Sequence, residues 1–202
     1  MPDNQKKLEI VDDGKTRCGW MGSDPPMMQY HDEEWGVPVH EDRKWFEFMV
    51  LDAFQAGLSW RTVLHKRVAF REVFHDFDPE QVARMSDGDI QAACANKAII
   101  RNRLKIQAAI KNAAVFLETQ ACHGSFDSFI WSFTEGQVQQ NAWTTLAEIP
   151  ASTHLSDRVS RSLKQAGFSF VGSTICYAFL QSAGVVNDHL VDCFRYGEVR
   201  SG

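Results

Sequence analysis

EDRKWFEFMVLDAFQAGLSW, residues 41–60, reads first as a helix and then as a turn. Trp45, Phe46, Met49, Val50 and Phe54 recur at the spacing that lays an apolar face along a helix, and Gly57 stops it as a glycine past the last turn does. Asp52 breaks the pattern. It falls one turn after Phe48 and three residues after Met49, so a carboxylate enters among large apolar side chains. It is either a boundary aspartate that reaches solvent or caps a neighbouring helix, or a buried acid that needs a partner or takes up a proton. The turn that follows, Gln55-Ala56-Gly57-Leu58-Ser59-Trp60, carries leucine at its tip. Such a tip is either core or a wedge for a base stack.

Helix punctuation continues outward from this stretch, and strand alternation is nearly absent. Asp78-Pro79-Glu80-Gln81 offers an N-cap, a proline at the first helical position and a reciprocating glutamine at the third; Ser86 with Asp89 repeats the capping pattern. Ile106, Ile110, Ala113, Ala114 and Leu117 keep helical spacing. Further helices fit 126–133, 157–166 and 173–183, the last two followed by Gly167 and Gly184. The expected fold class is all-α, with loops carrying the chemistry. Residues 1–16 and 195–202 are polar and expected to be loose tails, which leaves 17–194 as a single domain with room for two lobes.

Composition narrows the function. A chain of 202 residues, 44% hydrophobic and 11% aromatic, can bury one sizeable core. The cysteines (Cys18, Cys94, Cys122, Cys176, Cys193) are odd in number and lack a small secreted domain's framework, and the start, Met1-Pro2-Asp3-Asn4-Gln5-Lys6-Lys7, has no apolar signal segment. A reduced, cytoplasmic protein is expected. No apolar run reaches the length of a membrane span, which removes membrane functions. The net charge of -5 argues mildly against nucleic acid. Yet His65-Lys66-Arg67, Arg101-Asn102-Arg103-Leu104-Lys105 and the run from Arg158 to Lys164 are local basic groups, so a nucleic-acid partner is permitted.

Near the two ends stand Cys18 and His31, then His189 and Cys193. The spacing of four in the second pair is one turn of a helix and would put imidazole and thiol on one face. Two thiolates and two imidazoles suit a closed tetrahedral Zn²⁺ site, although cysteine is also a common buried hydrophobe and histidine an ordinary hydrogen-bonding residue. Aromatic residues gather close by: Trp20, Tyr30 and Trp35. They form either plain core or, around a carboxylate, a pocket for a planar cationic ring.

Together these segments carry a resemblance. Arg17-Cys18-Gly19-Trp20, Tyr30-His31-Asp32-Glu33-Glu34-Trp35-Gly36-Val37-Pro38, Gln55-Ala56-Gly57-Leu58-Ser59-Trp60, Ile99-Ile100-Arg101-Asn102-Arg103 with Lys105-Ile106, Phe170-Val171-Gly172-Ser173-Thr174-Ile175-Cys176-Tyr177 and Val186-Asn187-Asp188-His189 resemble the 3-methyladenine DNA glycosylase I family, in family order across nearly the whole chain. The resemblance implies a helix-hairpin-helix glycosylase fold and a monomeric, monofunctional enzyme of base-excision repair. Such an enzyme flips 3-methyladenine out of alkylated double-stranded DNA and hydrolyses its glycosidic bond. It implies one structural zinc per chain on Cys18, His31, His189 and Cys193. Tyr30 and Trp60 would line the base pocket with Trp20 nearby, Leu58 would plug the gap in the duplex, and Gly57 would permit close backbone approach.

Departures from the family pattern fall at the pocket. Asp52 stands where the family has the glutamate that recognises the flipped base, Met27 where better-known members have a second pocket tyrosine, and Ala178 where they have serine. Ala53 and Phe54 are bulkier than the small residues expected beside that acid. One alternative is therefore a relative that recognises another lesion or binds DNA without excision. A more distant one is a zinc-dependent hydrolase or deaminase, since His31-Asp32-Glu33 spells H-x-E, but the accompanying P-C-x-x-C is missing from the sequence.

Overall fold

Capping side chains set most of the helix starts. The computed structural model describes residues 8–10 and 13–201. In chain order these form β1 (Leu8–Ile10), β2 (Thr16–Cys18), α1 (Pro25–Glu33), α2 (Asp42–Gln55), α3 (Trp60–Leu64), α4 (Arg67–Val73), α5 (Pro79–Ala83) and α6 (Asp87–Ala95). They continue with α7 (Arg103–His123), α8 (Phe126–Trp131), β3 (Gln139–Gln140), α9 (His154–Ala166), α10 (Ser173–Ser182), β4 (Val186–Asn187) and α11 (Phe194–Ser201). Ser59, Asp78, Ser86, Asn102, Ser125 and Thr153 each accept a first-turn N–H of the helix that follows, which satisfies donors the helix itself leaves open. The Ser86–Asp89 capping box is present; Gln81 bonds the Asp78 carboxylate instead of the cap's backbone.

The structure is mostly helical, with two small two-stranded sheets among the described residues. β1 pairs antiparallel with β2, and β3 pairs parallel with β4. Strands of two or three residues have no periodicity to read. The expected loose N-terminal tail is partly paired through β1, and its residues 1–7 and 11–12 lie outside the described residues. The expected loose C-terminal tail is largely α11, held where the Asn187 side chain donates to the Tyr196 carbonyl and Val199 is buried.

One expectation needs correction. His189 and Cys193 do not share a helix face, because residues 188–193 turn before α11 begins. The Asn187 side chain accepts the His189 N–H, Cys193 N–H donates to the Leu190 carbonyl and Val191 N–H to that of Trp143, so the helical ladder has lost its donors.

One continuous cluster of buried side chains runs from Cys18 to Cys193. α2 lies inside it, with ten of its fourteen residues buried, and packs against α3, α7, α8 and α10. Beside it Arg67 joins Glu34 at the end of α1 to Glu47 of α2. Burial alone would push the Glu47 carboxyl up, but Arg67 overrides that and holds it down at about 2. α10 lies against both α2 and α9 and ends at Ala183 and Gly184. Gly184 has φ +70, and a Cβ there would overlap the backbone of Val37 and Pro38. A side chain at this position would force the end of α10 away from the α1–α2 connection.

Candidate functional site

Rings from three segments wall a cavity of about 340 Å³. Trp20 follows β2, Tyr30 and Trp35 come from α1 and the turn after it, and Trp60 opens α3 behind its Ser59 cap. The Tyr30 and Trp60 ring centres are 5.0 Å apart, and Trp20 meets Trp35 edge-on at 5.0 Å. Tyr30 is buried and its hydroxyl donates to Ser182 Oγ at 3.0 Å, which fixes the ring's tilt. The indole N–H groups of Trp20 and Trp60 are buried without a hydrogen-bond partner among the described residues. Such groups are normally satisfied in a folded protein, so flat, donor-bearing walls of this kind suit a planar heterocycle.

A second cavity of about 210 Å³ adjoins the first and shares Gln55 and Ala178 with it. Asp52, Gly57 and Leu58 line this one. Asp52 is 1% exposed, and neither carboxyl oxygen has a hydrogen-bond partner among the described residues. Burial pushes its carboxyl well above the usual carboxylate range, against a smaller downward pull from the Ser182 hydroxyl. The solvent-facing alternative for Asp52 is therefore removed, as is partnering by a protein cation.

The turn beyond Asp52 is held from below. Lys105, in the first turn of α7, is buried and donates to the carbonyls of Phe54 at 2.9 Å and Ala56 at 2.6 Å. A cation on the last carbonyls of α2 is favourable, and it fixes the point from which the tip projects. Gly57 takes φ +78, and Leu58 is left 44% exposed at the tip. The core alternative for Leu58 is thereby excluded. Met27 is buried and does not line either cavity, in contrast to its expected place in the pocket.

Cys18, His31, His189 and Cys193 converge, all buried, with their ligand atoms within 4.8 Å of one another. Cys193 Sγ stands 3.5 Å from His31 Nε2 and 3.6 Å from His189 Nδ1, and Cys18 Sγ stands 3.7 Å from His189 Nδ1. Zinc bonds of about 2.3 Å to sulfur and about 2.0–2.1 Å to nitrogen give tetrahedral S–N edges of about 3.5–3.6 Å. The donor set therefore fits a tetrahedral ion of that size. The outward ring nitrogens are engaged: His31 Nδ1 lies 2.8 Å from the Asp32 carboxylate and His189 Nε2 lies 3.0 Å from the Trp35 carbonyl. Those partners leave the inward nitrogens as acceptors, the arrangement metal-binding imidazoles use. Asp32 is itself held by Arg17.

A buried cluster that could hold a metal ion is thus present at the chain ends. Next to it, Asp188 accepts from Asn141, Trp143, Tyr177 and Gln181, and Gln181 also lines the aromatic cavity. Cys176 is buried against the Val171 carbonyl, and burial pushes its thiol up to about 12.

The methyladenine glycosylase family model matches residues 20–196. The chain belongs to this family. It is 50% identical over 180 residues to DNA-3-methyladenine glycosylase 1 of Escherichia coli (strain K12), covering 89% of this chain and 96% of the relative. A crystal structure of 3-methyladenine DNA glycosylase I superposes with a TM-score of 0.86 at 49% identity, covering 88% of this chain and 98% of the other. A variant of 3-methyladenine DNA glycosylase I solved in complex with 3-methyladenine superposes with a TM-score of 0.85 at 33% identity, covering 88% and 96%.

Of the residues singled out from the sequence of this methyladenine glycosylase chain, the structure places Trp20, Tyr30, Trp60 and Ala178 around one cavity and Asp52, Gly57, Leu58 and Ala178 around the adjoining one; the sequence reading, which expected a single pocket, did not separate them. The sequence reading missed Gln181 and Ser182, which line the aromatic cavity three and four residues after Ala178. Extending the helix face from Ala178 would have found them. Leu146 and Ile149 also line it, from a segment with no periodic signal.

Proposed function

We propose that the chain is a DNA-3-methyladenine glycosylase, which hydrolyses the bond between a cationic alkylated base and its deoxyribose in duplex DNA. The observation that carries this reading is a buried carboxyl, without a hydrogen-bond partner among the described residues, beside a cavity walled by four aromatic rings. A base inside a duplex is unreachable, and flipping it out costs a few kcal/mol of unstacking. Stacking against Tyr30 and Trp60 recovers about 1–3 kcal/mol, and Leu58, projecting from its glycine turn, fills the space the base leaves.

Asp52 supplies the selection for charge. In the empty cavity the ionised carboxyl is disfavoured by burial, and an entering cation favours it. A neutral base gains no such interaction. Alkylation at N3 makes the base a cation that departs as a neutral molecule, so cleavage needs little acid catalysis. Tyr30, fixed by Ser182, sets the plane of the ring. Water completes the hydrolysis at the sugar and leaves an abasic site.

In this reading Cys18, His31, His189 and Cys193 hold one zinc ion, which ties the two ends of the chain together when bound. A set of four protein donors keeps no position open for substrate, which favours this structural role over hydrolase or deaminase chemistry. The partner is double-stranded DNA with alkylated bases, and the enzyme acts as a monomer. The proposed setting is the cytoplasm, where all five thiols stay unpaired. No helix among the described residues is long and apolar enough to cross a membrane. The test is chromatography of bases released from methylated DNA. Release of 3-methyladenine is expected; DNA binding without release would favour the relative that binds without excising.

A further inference from the structure

Gln181 lines the ring-walled cavity, and its side chain is held by a residue that does not, Asp188. The Asp188 carboxylate is 1% exposed and is met by four donors: Asn141 Nδ2 and Trp143 Nε1 on Oδ1, the Tyr177 hydroxyl and, at 2.7 Å, Gln181 Nε2 on Oδ2. A carboxylate engaged in this way acts as an acceptor only, so the nitrogen end of the Gln181 amide has to face it. The carbonyl end then faces the other way. Gln181 Oε1 has no hydrogen-bond partner among the described residues and is not one of the sealed polar atoms. The open space that Gln181 lines is the ring-walled cavity, so a fixed acceptor looks into it. The remaining polar groups of the wall do not duplicate it: the indole N–H groups of Trp20 and Trp60 are donors, and the Ser182 hydroxyl oxygen is taken by Tyr30. Nothing among the described residues pins the Gln55 amide, which is free to turn either end inward.

This inference rests on the glycosylase reading. We infer that Gln181 is a specificity-determining residue: its carbonyl oxygen accepts a hydrogen of the amino group at C6 of the flipped adenine and turns away purines that carry oxygen there. The amino group has a second hydrogen, which stays available to another acceptor. In guanine and hypoxanthine the C6 oxygen would meet Gln181 Oε1 lone pair to lone pair. The amide cannot turn over to offer its NH₂ instead, because its oxygen would then face the Asp188 carboxylate and one of the four donors would be lost. The rings of Tyr30 and Trp60 stack on either purine and do not make this distinction. A positive charge does not make it either, since methylation at N3 leaves adenine and guanine nucleotides alike cationic. A site built to hydrogen-bond one group rejects the analogue that lacks it more strongly than an apolar wall does.

The test uses the full chain on methylated DNA, with initial rates of 3-methyladenine and 3-methylguanine release measured in one reaction and divided by the content of each base. Their ratio does not depend on how much of a preparation is folded. Gln181→Met keeps the side chain's length and removes the acceptor, and it is expected to lower the adenine-to-guanine ratio by at least about tenfold. The 2-amino group of guanine is untouched by this change. A second measurement needs no variant: inhibition of the native chain by free 3-methyladenine and by free 3-methylhypoxanthine, which differ at C6 and lack that 2-amino group. The adenine is expected to inhibit at a concentration at least about tenfold lower. A ratio unchanged in Gln181→Met, or equal inhibition by the two free bases, or none by either, would overturn the inference while release of 3-methyladenine keeps the glycosylase reading. Release of neither base by the native chain refutes both.

Discussion

Replacing Cys193 by Ser removes one of four donors that join the first 31 residues to the last 14, and its cost follows from the loop those donors close. Cys18 pairs with His189 across 171 positions, and His31 with Cys193 across 162. Treated as a cross-link in the unfolded chain, a loop of that size contributes about 5 kcal/mol at 25 °C. For a chain of 150–250 residues each kcal/mol moves Tm by roughly 2–4 °C, which gives an expected fall of roughly 10–20 °C. Ion binding to cysteine and histidine in the unfolded chain would reduce the figure. The assay is elemental analysis of the purified protein together with calorimetry, with and without a chelator. The native chain is expected to carry one zinc and to lose stability with the chelator; Cys193→Ser is expected to carry none and to ignore it. A native chain purified with zinc present yet free of it, or a variant that melts with the native chain, would refute the reasoning.

Other residues give sharper contrasts. Asp52→Asn keeps the shape and removes the charge, so excision of 3-methyladenine is expected to fall about a hundredfold, the scale of losing one preorganised electrostatic group. Because the folded-state carboxyl titrates well above its unfolded value, its contribution to stability is full below the unfolded pKa of 3.8 and is lost as pH rises through the folded pKa. Tm curves between pH 4 and 8 should therefore show Asp52→Asn gaining on the native chain as pH rises; a variant losing ground would contradict this. Leu58→Ala removes an exposed side chain, so its Tm should stay within about 1 °C, as for surface positions generally, while excision from duplex DNA drops more than from single strands. Equal losses on the two substrates would sink the wedge role. Gly184→Ala drives a methyl into the backbone of Val37 and Pro38, and little folded protein is expected by circular dichroism and gel filtration; a native-like melt would show that the α10 end can shift.

Much of the site was readable because it rests on local patterns. The α2 periodicity exposed Asp52 as an intruder, and the glycine after it located the turn that carries Leu58. The caps at Asp78 and Ser86 fixed two helix starts from side-chain chemistry alone. What the sequence hid depends on long-range partners. The His189–Cys193 spacing looks helical until the Trp143 carbonyl takes the Val191 N–H, a contact from a distant loop. Strand pairing of Gln139 with Val186 leaves no alternation in segments so short. That Met27 turns into the core, and that Asp52 is buried where α10 packs against α2, are likewise set by long-range packing.

The most direct measurement is a structure of the protein with 3-methyladenine bound. The base is expected in the ring-walled cavity against the Tyr30 and Trp60 rings, with the Asp52 carboxyl reaching one of its polar edges directly or through one water. A base bound outside the ring-walled cavity, or one whose polar edge turns away from Asp52 with no bridging water, would contradict the role given to that carboxyl.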